Sequence, residues 1–405
     1  MNKSLMIIGG NKESSLGLKG LFKKFHITLI DGNEFCEGRK FSDYFIKANV
    51  YNHQEILKEV KKNLSRIKRP DAVLTLACDD VLSVAHLNKF FNLKGITLKL
   101  AKLTNSKILM KNCLIKNEIN TPNYINVKSI SDIKNNYKKL KCKTYILKPV
   151  TGRGSNGVIS IKNIKEFSDA FNESKKNSRK RNFILEENIH GQQFSSEAII
   201  INEKVKFCTL SDRNYDLNKI TFPYIIENGG ETPSKYSNKY LNQIRKIIEK
   251  ISSAFLYKNG TIKLDLVANK GKIFVIEFAL RLSGGNYSSI TIPKVYGVKI
   301  IDILVKILCN ESINESSFNS KINLYQSNRY LILPPGKINK VPKINYRDKD
   351  CYYNDIKLEK DQLINKIKKH SERIGSVIYF NKNREIAVFK ANNHINFYRN
   401  NCEII

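Results

Sequence analysis

Apolar positions follow two different rhythms along this chain, and the change between them divides it. Over residues 1 to about 103, short apolar runs alternate with amphipathic stretches. Leu5-Met6-Ile7-Ile8 has no polar position, as a strand buried on both faces requires, and it stops at Gly9-Gly10. Spacing predicts a helix over 14–24, a strand over 27–30 ending at Asp31, a helix over 53–67 and a strand over 72–77 leading to Asp79-Asp80. That alternation predicts a parallel, doubly wound sheet with ligand-facing strand ends. Gly9-Gly10 is not a full dinucleotide fingerprint, and a tight turn is sufficient reason for it.

From Leu103 the rhythm changes. A helix is predicted over 105–117, Thr121-Pro122 breaks the chain, and strands follow at 144–148, 158–161, 183–187, 194–201 and 204–210. Helices are expected at 163–176, 238–257 and 299–309, and the Asn- and Ser-rich stretch 310–320 reads as a linker. Strand-like runs at 329–333, 377–380 and 386–389 make the tail a small β-rich unit. The predicted architecture is α/β followed by α+β: a parallel-sheet domain over 1–103, a second domain over 104–310 and a β-rich domain over 311–405. Strands in the central part fall in antiparallel pairs, and no internal repeat is visible.

The most informative stretch is 261–285, TIKLDLVANKGKIFVIEFALRLSGG. Two β-type runs flank Asn269-Lys270-Gly271, where Gly supplies the positive φ of a hairpin turn. Folding on that turn brings Asp265 opposite or diagonal to Glu277, close enough for their carboxylates to share a cation. Arg281 and Ser283-Gly284-Gly285 follow. Two acids and a guanidinium suit Mg²⁺ with the phosphates it carries, since Mg²⁺ prefers oxygen ligands. Taken alone, a charged surface hairpin explains the stretch equally well.

Composition narrows the choices. The chain has 405 residues, enough for two or three domains. Eight scattered cysteines, with no CxxC, predict a reduced cytoplasmic protein without structural zinc. No run resembles a transmembrane helix or secretion signal, so no membrane partner is expected. The net charge of +33 is spread along the whole length, including lysine clusters at 138–143 and 175–181. It is therefore read as solvated faces that draw in anions, with no specific nucleic acid expected.

Thr151-Gly152-Arg153-Gly154-Ser155-Asn156-Gly157 joins two predicted strands. Three glycines and a hydroxyl can turn N–H donors toward phosphate oxygens, although an ordinary Gly-rich hairpin has the same composition. With no bulky apolar anchor, the loop is expected to be mobile until nucleotide orders it. Lys148 ends the preceding strand, and Lys107 lies on the helix that opens the central part.

The order of these pieces resembles the ATP-grasp superfamily, and more closely its carboxylate–amine ligases. A helix lysine comes first, then a Lys-Pro strand, the Gly/Ser loop, Leu185-Glu186-Glu187-Asn188-Ile189-His190-Gly191-Gln192-Gln193-Phe194-Ser195, and finally Asp265, Glu277 and Arg281. The likeness covers nearly the whole chain. Residues 1–103 are similar to the pre-ATP-grasp domain and 104–310 to the ATP-grasp domain. The tail is similar to the family's C-terminal domain, with Arg329-Tyr330-Leu331 before Pro334-Pro335-Gly336, and Arg373-Ile374-Gly375-Ser376.

The resemblance implies ATP and Mg²⁺ as cofactors. It places Lys107 and Lys148 on the ATP phosphates, the second also on the adenine side, and Gly152, Gly154, Ser155 and Gly157 in a loop that closes over them. Glu186, Glu187 and Ile189 match the hinge that reads adenine, partly through backbone groups. Gln193 stands where many members have a ribose-binding glutamate, a role glutamine can fill by hydrogen bonding. Asp265 and Glu277 match the Mg²⁺ ligands, and Arg281 the group that steadies the acyl phosphate. One departure is larger: the family pattern Glu-x-Asn-x-Arg reads Glu277-Phe278-Ala279-Leu280-Arg281 here, and alanine cannot ligate. Either water or a neighbour replaces the asparagine, or the second Mg²⁺ is weaker.

The implied reaction is ATP-dependent joining of a small-molecule carboxylate to an amine through an acyl phosphate, releasing ADP and phosphate. A homodimer is compatible with it. Rival readings are a nucleotide-biosynthetic carboxylase on the same frame, a non-catalytic ATP-binding protein suggested by Ala279, and a nucleic-acid binder suggested by charge alone. Asp212-Arg213-Asn214 and the run from Glu227 to Ser234 are expected to border the acceptor pocket, with a polar surface loop as the alternative.

Overall fold

A computed structural model describes residues 3–178, 181–342 and 348–405; part of the 175–181 lysine cluster, residues 179 and 180, lies outside them. Strands β1 (Ser4–Ile8), β2 (His26–Asp31), β3 (Tyr44–Lys47) and β4 (Ala72–Leu74) form a parallel sheet in the order β3-β2-β1-β4. Helices α1 (Lys12–Phe22), α2 (His53–Lys62) and α3 (Val81–Phe91) alternate with them. Every residue of β1 is buried, and all but Ser4 are apolar, as burial on both faces requires. The unforeseen β3 is a short edge strand with one of its four residues buried. Asp80, after β4, caps α3 by accepting from the Ser83 N–H.

Helices α4 (Leu98–Asn105) and α5 (Lys107–Lys116) lead into an antiparallel sheet of β5 (Tyr124–Val127), β6 (Tyr145–Pro149), β7 (Ile159–Ile161) and β8 (Phe183–Glu187), ordered β5-β8-β6-β7. Helices α6 (Ile130–Asn136) and α7 (Phe167–Lys176) cover it. A larger sheet then follows from β9 (Gln192–Ile201), β10 (Lys204–Cys208), β11 (Ser211–Asn214), β12 (Gly229–Thr232), β13 (Gly260–Asn269) and β14 (Lys272–Ala279). Helix α8 (Asn218–Thr221) is a single turn, whereas α9 (Ser237–Ala254) buries Tyr240, Ile244, Ile248 and Ile251 on one face against β9 and β13.

Helices α10 (Ile292–Tyr296) and α11 (Ile300–Leu308) pack back onto β1, β2 and β4, joining the N-terminal sheet to the centre through one core that includes Leu5, Leu29, Leu74, Ile292 and Leu304. The tail carries β15 (Tyr325–Tyr330), β16 (Gly336–Lys340), β17 (Cys351–Asn354), β18 (Leu363–Ile364), β19 (Ser376–Asn381), α12 (Arg384–Asn401) and β20 (Glu403–Ile404). Three of its strands form a small sheet of their own in the order β18-β16-β20, and the others join the centre. β15 pairs with β12, and among the described residues the large sheet runs β14-β13-β9-β11-β12-β15-β19-β17, with β10 beside β9.

The expected strand at 386–389 is instead the first turns of α12. Ala387, Ala391, His394, Ile395 and Tyr398 are buried at helical spacing, and the Asn383 side chain caps the start. Ile386 and Phe389, which suggested a strand, are exposed on the opposite face. No helix among the described residues is long and apolar enough to cross a membrane.

Candidate active site

The hairpin forms on Lys270 and Gly271, both at positive φ, and pairs Asp265 directly with Glu277. A bulge follows at once, with Leu266 opposite Val275, and Glu277 lies beside Lys107, which also reaches the 151–157 loop of the other sheet. Asp265 is buried and its oxygens are taken. Arg213 Nη1 donates to Oδ1 at 2.5 Å, and Lys263 Nζ reaches Oδ2. Burial opposes ionisation of Asp265, yet Arg213 and Lys263 hold its carboxyl well below the usual range. The other arm of Arg213 donates to Glu227 Oε2 at 2.6 Å.

Glu277 has a side chain 39% exposed and faces Lys107, whose Nζ lies 3.5 Å from its Oε2. The same ammonium donates to the Gly152 carbonyl at 3.0 Å, so one lysine ties the expected phosphate loop to the expected metal ligand. Two further contacts hold the loop. The Arg153 guanidinium lies 3.6 Å from the centre of the Tyr51 ring on the N-terminal unit. On the tail, the His370 N–H donates to the Gly154 carbonyl at 3.0 Å, and its Nε2 is 3.2 Å from Ser155 Oγ. The sequence shows no apolar anchor for this loop; the anchors are polar and come from distant segments. Burial, with Arg373 beside it, pulls the His370 imidazole down to about 3, so it is neutral near pH 7. Gly157 has φ +72, and a Cβ there would sit 3.0 Å from Pro149 and 3.1 Å from Asn177.

Lys148 is buried, with Nζ 2.7 Å from Glu186 Oε2, and Lys111 reaches the other oxygen at 3.1 Å. Glu186 therefore serves as a counter-ion to two lysines. Burial works against its charge, but Lys111 and Lys148 keep the carboxyl ionised. Burial also pulls Lys111 down to about 8, against the attraction of Glu186 and, more weakly, Glu277. Glu187 accepts from the Asn123 backbone at 3.0 Å, while Ile189 and Gln193 are half-buried at the passage from β8 to β9.

Arg281 is turned toward the N-terminal unit, donating through Nε to Asp79 Oδ1 at 2.6 Å and through Nη1 to the Leu282 carbonyl at 2.8 Å. Next to it, the Gly285 N–H donates to Glu13 of α1 at 2.8 Å. Behind this turn Glu197 is fully buried. It accepts from the Ser283 N–H and the Ser288 hydroxyl, each at 2.9 Å, and burial pushes its carboxyl up to about 7.

Strand alternation divides the expected acceptor border. Arg213 and Glu227 join Asp265 at the cleft. Asp212 and Glu231 pair with each other across β11 and β12 on the other face, held by Arg384 of α12 and Arg329 of β15. Lys111, Glu197, Lys263 and His370 were not singled out from sequence. Lys263 alone had a local signal, since it stands two residues before Asp265 and so on the same face.

No group of three or more His, Cys, Asp or Glu that could hold a metal by itself occurs among the described residues. The facing pair Asp265 and Glu277 nonetheless offers hard oxygen donors, and Glu277 remains accessible. Such a pair fits a divalent ion that arrives with phosphates.

Residues 104–285 match the family model of the ATP-grasp domain. No curated protein matches the sequence. Among solved structures, the chain is similar to an L-amino acid ligase from Bacillus licheniformis, with a TM-score of 0.80, 16% identity and coverage of 100% of this chain and 98% of the other. It is similar to phosphoribosylglycinamide synthetase from Anaerococcus prevotii at a TM-score of 0.73 and 20% identity, covering 100% of both chains. N5-carboxyaminoimidazole synthetase from Staphylococcus aureus, complexed with ADP, follows at a TM-score of 0.71 and 16% identity, covering 98% of this chain and 97% of that one. At these identities the likeness is one of fold. Residues 104–285 thus carry an ATP-grasp domain by the family model, and the fold of the whole chain is similar to those of the ligase and the synthetases named above.

Proposed function

We propose that this chain is an ATP-dependent ligase that phosphorylates a small-molecule carboxylate and joins the acyl phosphate to an amine. The observation that carries the reading is the bridge made by Lys107 between the Gly152 carbonyl and Glu277, itself in register with Asp265. A phosphate loop and a carboxylate pair connected by an ammonium form a site for a polyphosphate and its divalent ion. The same reading divides the chain at 103 and 310, with the central part binding ATP and the tail lending His370 to its closure.

Mg²⁺, when bound with ATP, would neutralise phosphate charge and align the γ-phosphoryl group, with Glu277 and Asp265 as its protein ligands. Lys107, Lys148 and N–H groups of the 152–157 loop offset further phosphate charge, and the closed loop excludes water that would hydrolyse the acyl phosphate. Arg281 offers a planar fork to the acyl phosphate and to the oxyanion formed as the amine attacks. The oxygen leaving the carboxylate departs with phosphate, and the amine loses a proton as the amide forms. The neighbours' substrates differ among themselves, so the acid and amine are to be found by experiment.

An ADP-release screen of the purified protein with MgATP and pooled carboxylates and amines tests this. ADP formation that needs both an acid and an amine supports it. ATP binding without ADP release in any pool favours the non-catalytic reading, for which Ala279 is the motive.

A further inference from the structure

The row of residues beside Asp265 and Glu277 pairs Lys263 with Ala279. Both lie on the cleft face, since directly opposed residues share a face. Ala279 offers no ligand atom, and Lys263 sends its ammonium along the strand to Asp265 Oδ2, while Arg213 occupies Oδ1. Lys263 and Asp265 are held in place, with side chains 16% and 11% exposed. The three carboxylates here, Asp265, Glu277 and Glu227, are matched by three cations, Lys107, Arg213 and Lys263. Within these ion pairs each carboxylate already has its counter-charge before any ion arrives. A first divalent ion can approach through Glu277 and share the lone pairs that Asp265 keeps, whereas a second would have to displace Lys263 or Arg213 from Asp265 in a partly desolvated site.

We infer that Lys263 supplies, as a built-in ammonium, the positive charge a second divalent ion would otherwise bring to Asp265, so that the loaded protein carries one divalent ion per nucleotide. The inference rests on the ATP-binding reading above. A lysine suits this position because its compact point charge can face carboxylate and phosphate at once, on a stem flexible enough to follow the nucleotide.

Mn²⁺ binding, followed by the electron paramagnetic resonance of the free ion in the presence of β,γ-imido-ATP, reads the stoichiometry without catalysis. Wild type should take up one Mn²⁺ per chain, and Lys263→Arg should do the same. Lys263→Met leaves one uncompensated carboxylate charge and should bind two. Lys263→Met with Ala279→Asn, which adds an oxygen ligand, should bind the second ion more tightly still. A merely structural lysine would not raise metal uptake when removed. Two tight Mn²⁺ ions on wild type, or one on both methionine variants, overturn the inference and leave the ligase reading standing. Failure of wild type to bind the analogue at all overturns that reading, and this inference with it.

Discussion

Lys148 and Glu186 show how a single side chain can carry both nucleotide affinity and stability. Lys148→Met removes a charge-assisted contact to phosphate, which should weaken MgATP binding by about 1.5–3 kcal/mol, roughly ten- to a hundredfold. It also leaves Glu186 buried with Lys111 alone, and breaking a buried pair costs about 3–5 kcal/mol. Adding Glu186→Gln should lower the melting temperature further, because it strands the buried Lys111 ammonium, and should restore none of the affinity, as thermal denaturation and calorimetry can check. Glu197 makes a pH prediction. Its folded carboxyl is raised to about 7, so its contribution to stability is fully present below the ordinary value near 4.5 and is lost as pH rises through about 7. Wild type should lose up to about 3 kcal/mol from this group between those limits, and Glu197→Gln should have a flatter profile in urea titrations. Of these residues, Lys148 was legible from its place at a strand end before a Gly-rich loop. Glu197 was not, because its partners Ser283 and Ser288 lie far along the chain and a lone acid on a strand reads as surface.

At the scale of elements, the hairpin was readable because its signals are local: two β runs, a turn with Gly271, and a register that follows from turn length. The loop 151–157 was only half readable. Its glycines announced a tight turn, but Tyr51 and His370 lie about a hundred and two hundred residues away, and nothing local predicts their contacts. Replacing either should release the loop. Tyr51→Ala forfeits a cation–π contact of about 0.5–1 kcal/mol, so hydrogen exchange over 151–157 should rise roughly two- to fivefold without nucleotide and fall back when MgATP is added. Unchanged exchange in both Tyr51→Ala and His370→Ala would mean that these contacts do not hold the loop. Helix α12 was misread because Ile386 and Phe389 are apolar and exposed, so they imitate a strand while the small Ala387 and Ala391 form the buried stripe.

The whole molecule is held together across its expected divisions. The N-terminal sheet shares a core with α10 and α11, Asp79 binds Arg281, and the tail extends the central sheet through β15. Pairing between strands so far apart in sequence leaves no mark on local patterning, and so the tail read as a separate β unit. Because Arg281 joins the N-terminal unit to the cleft, Arg281→Ala should lower kcat and kcat/KM together, about a hundredfold, with ATP affinity nearly unchanged. Arg281→Lys, which keeps the charge and loses the fork, should fall between. Loss of ATP affinity with normal turnover would make Arg281 a nucleotide ligand instead. The central claim is that a carboxylate oxygen is transferred to phosphate, and its most direct test follows that oxygen. With an acid identified by ADP release and labelled with ¹⁸O in its carboxylate, mass spectrometry of the products should find one labelled oxygen in each phosphate formed. Phosphate free of label, with the isotope retained in the acyl product, would contradict an acyl phosphate and with it this account.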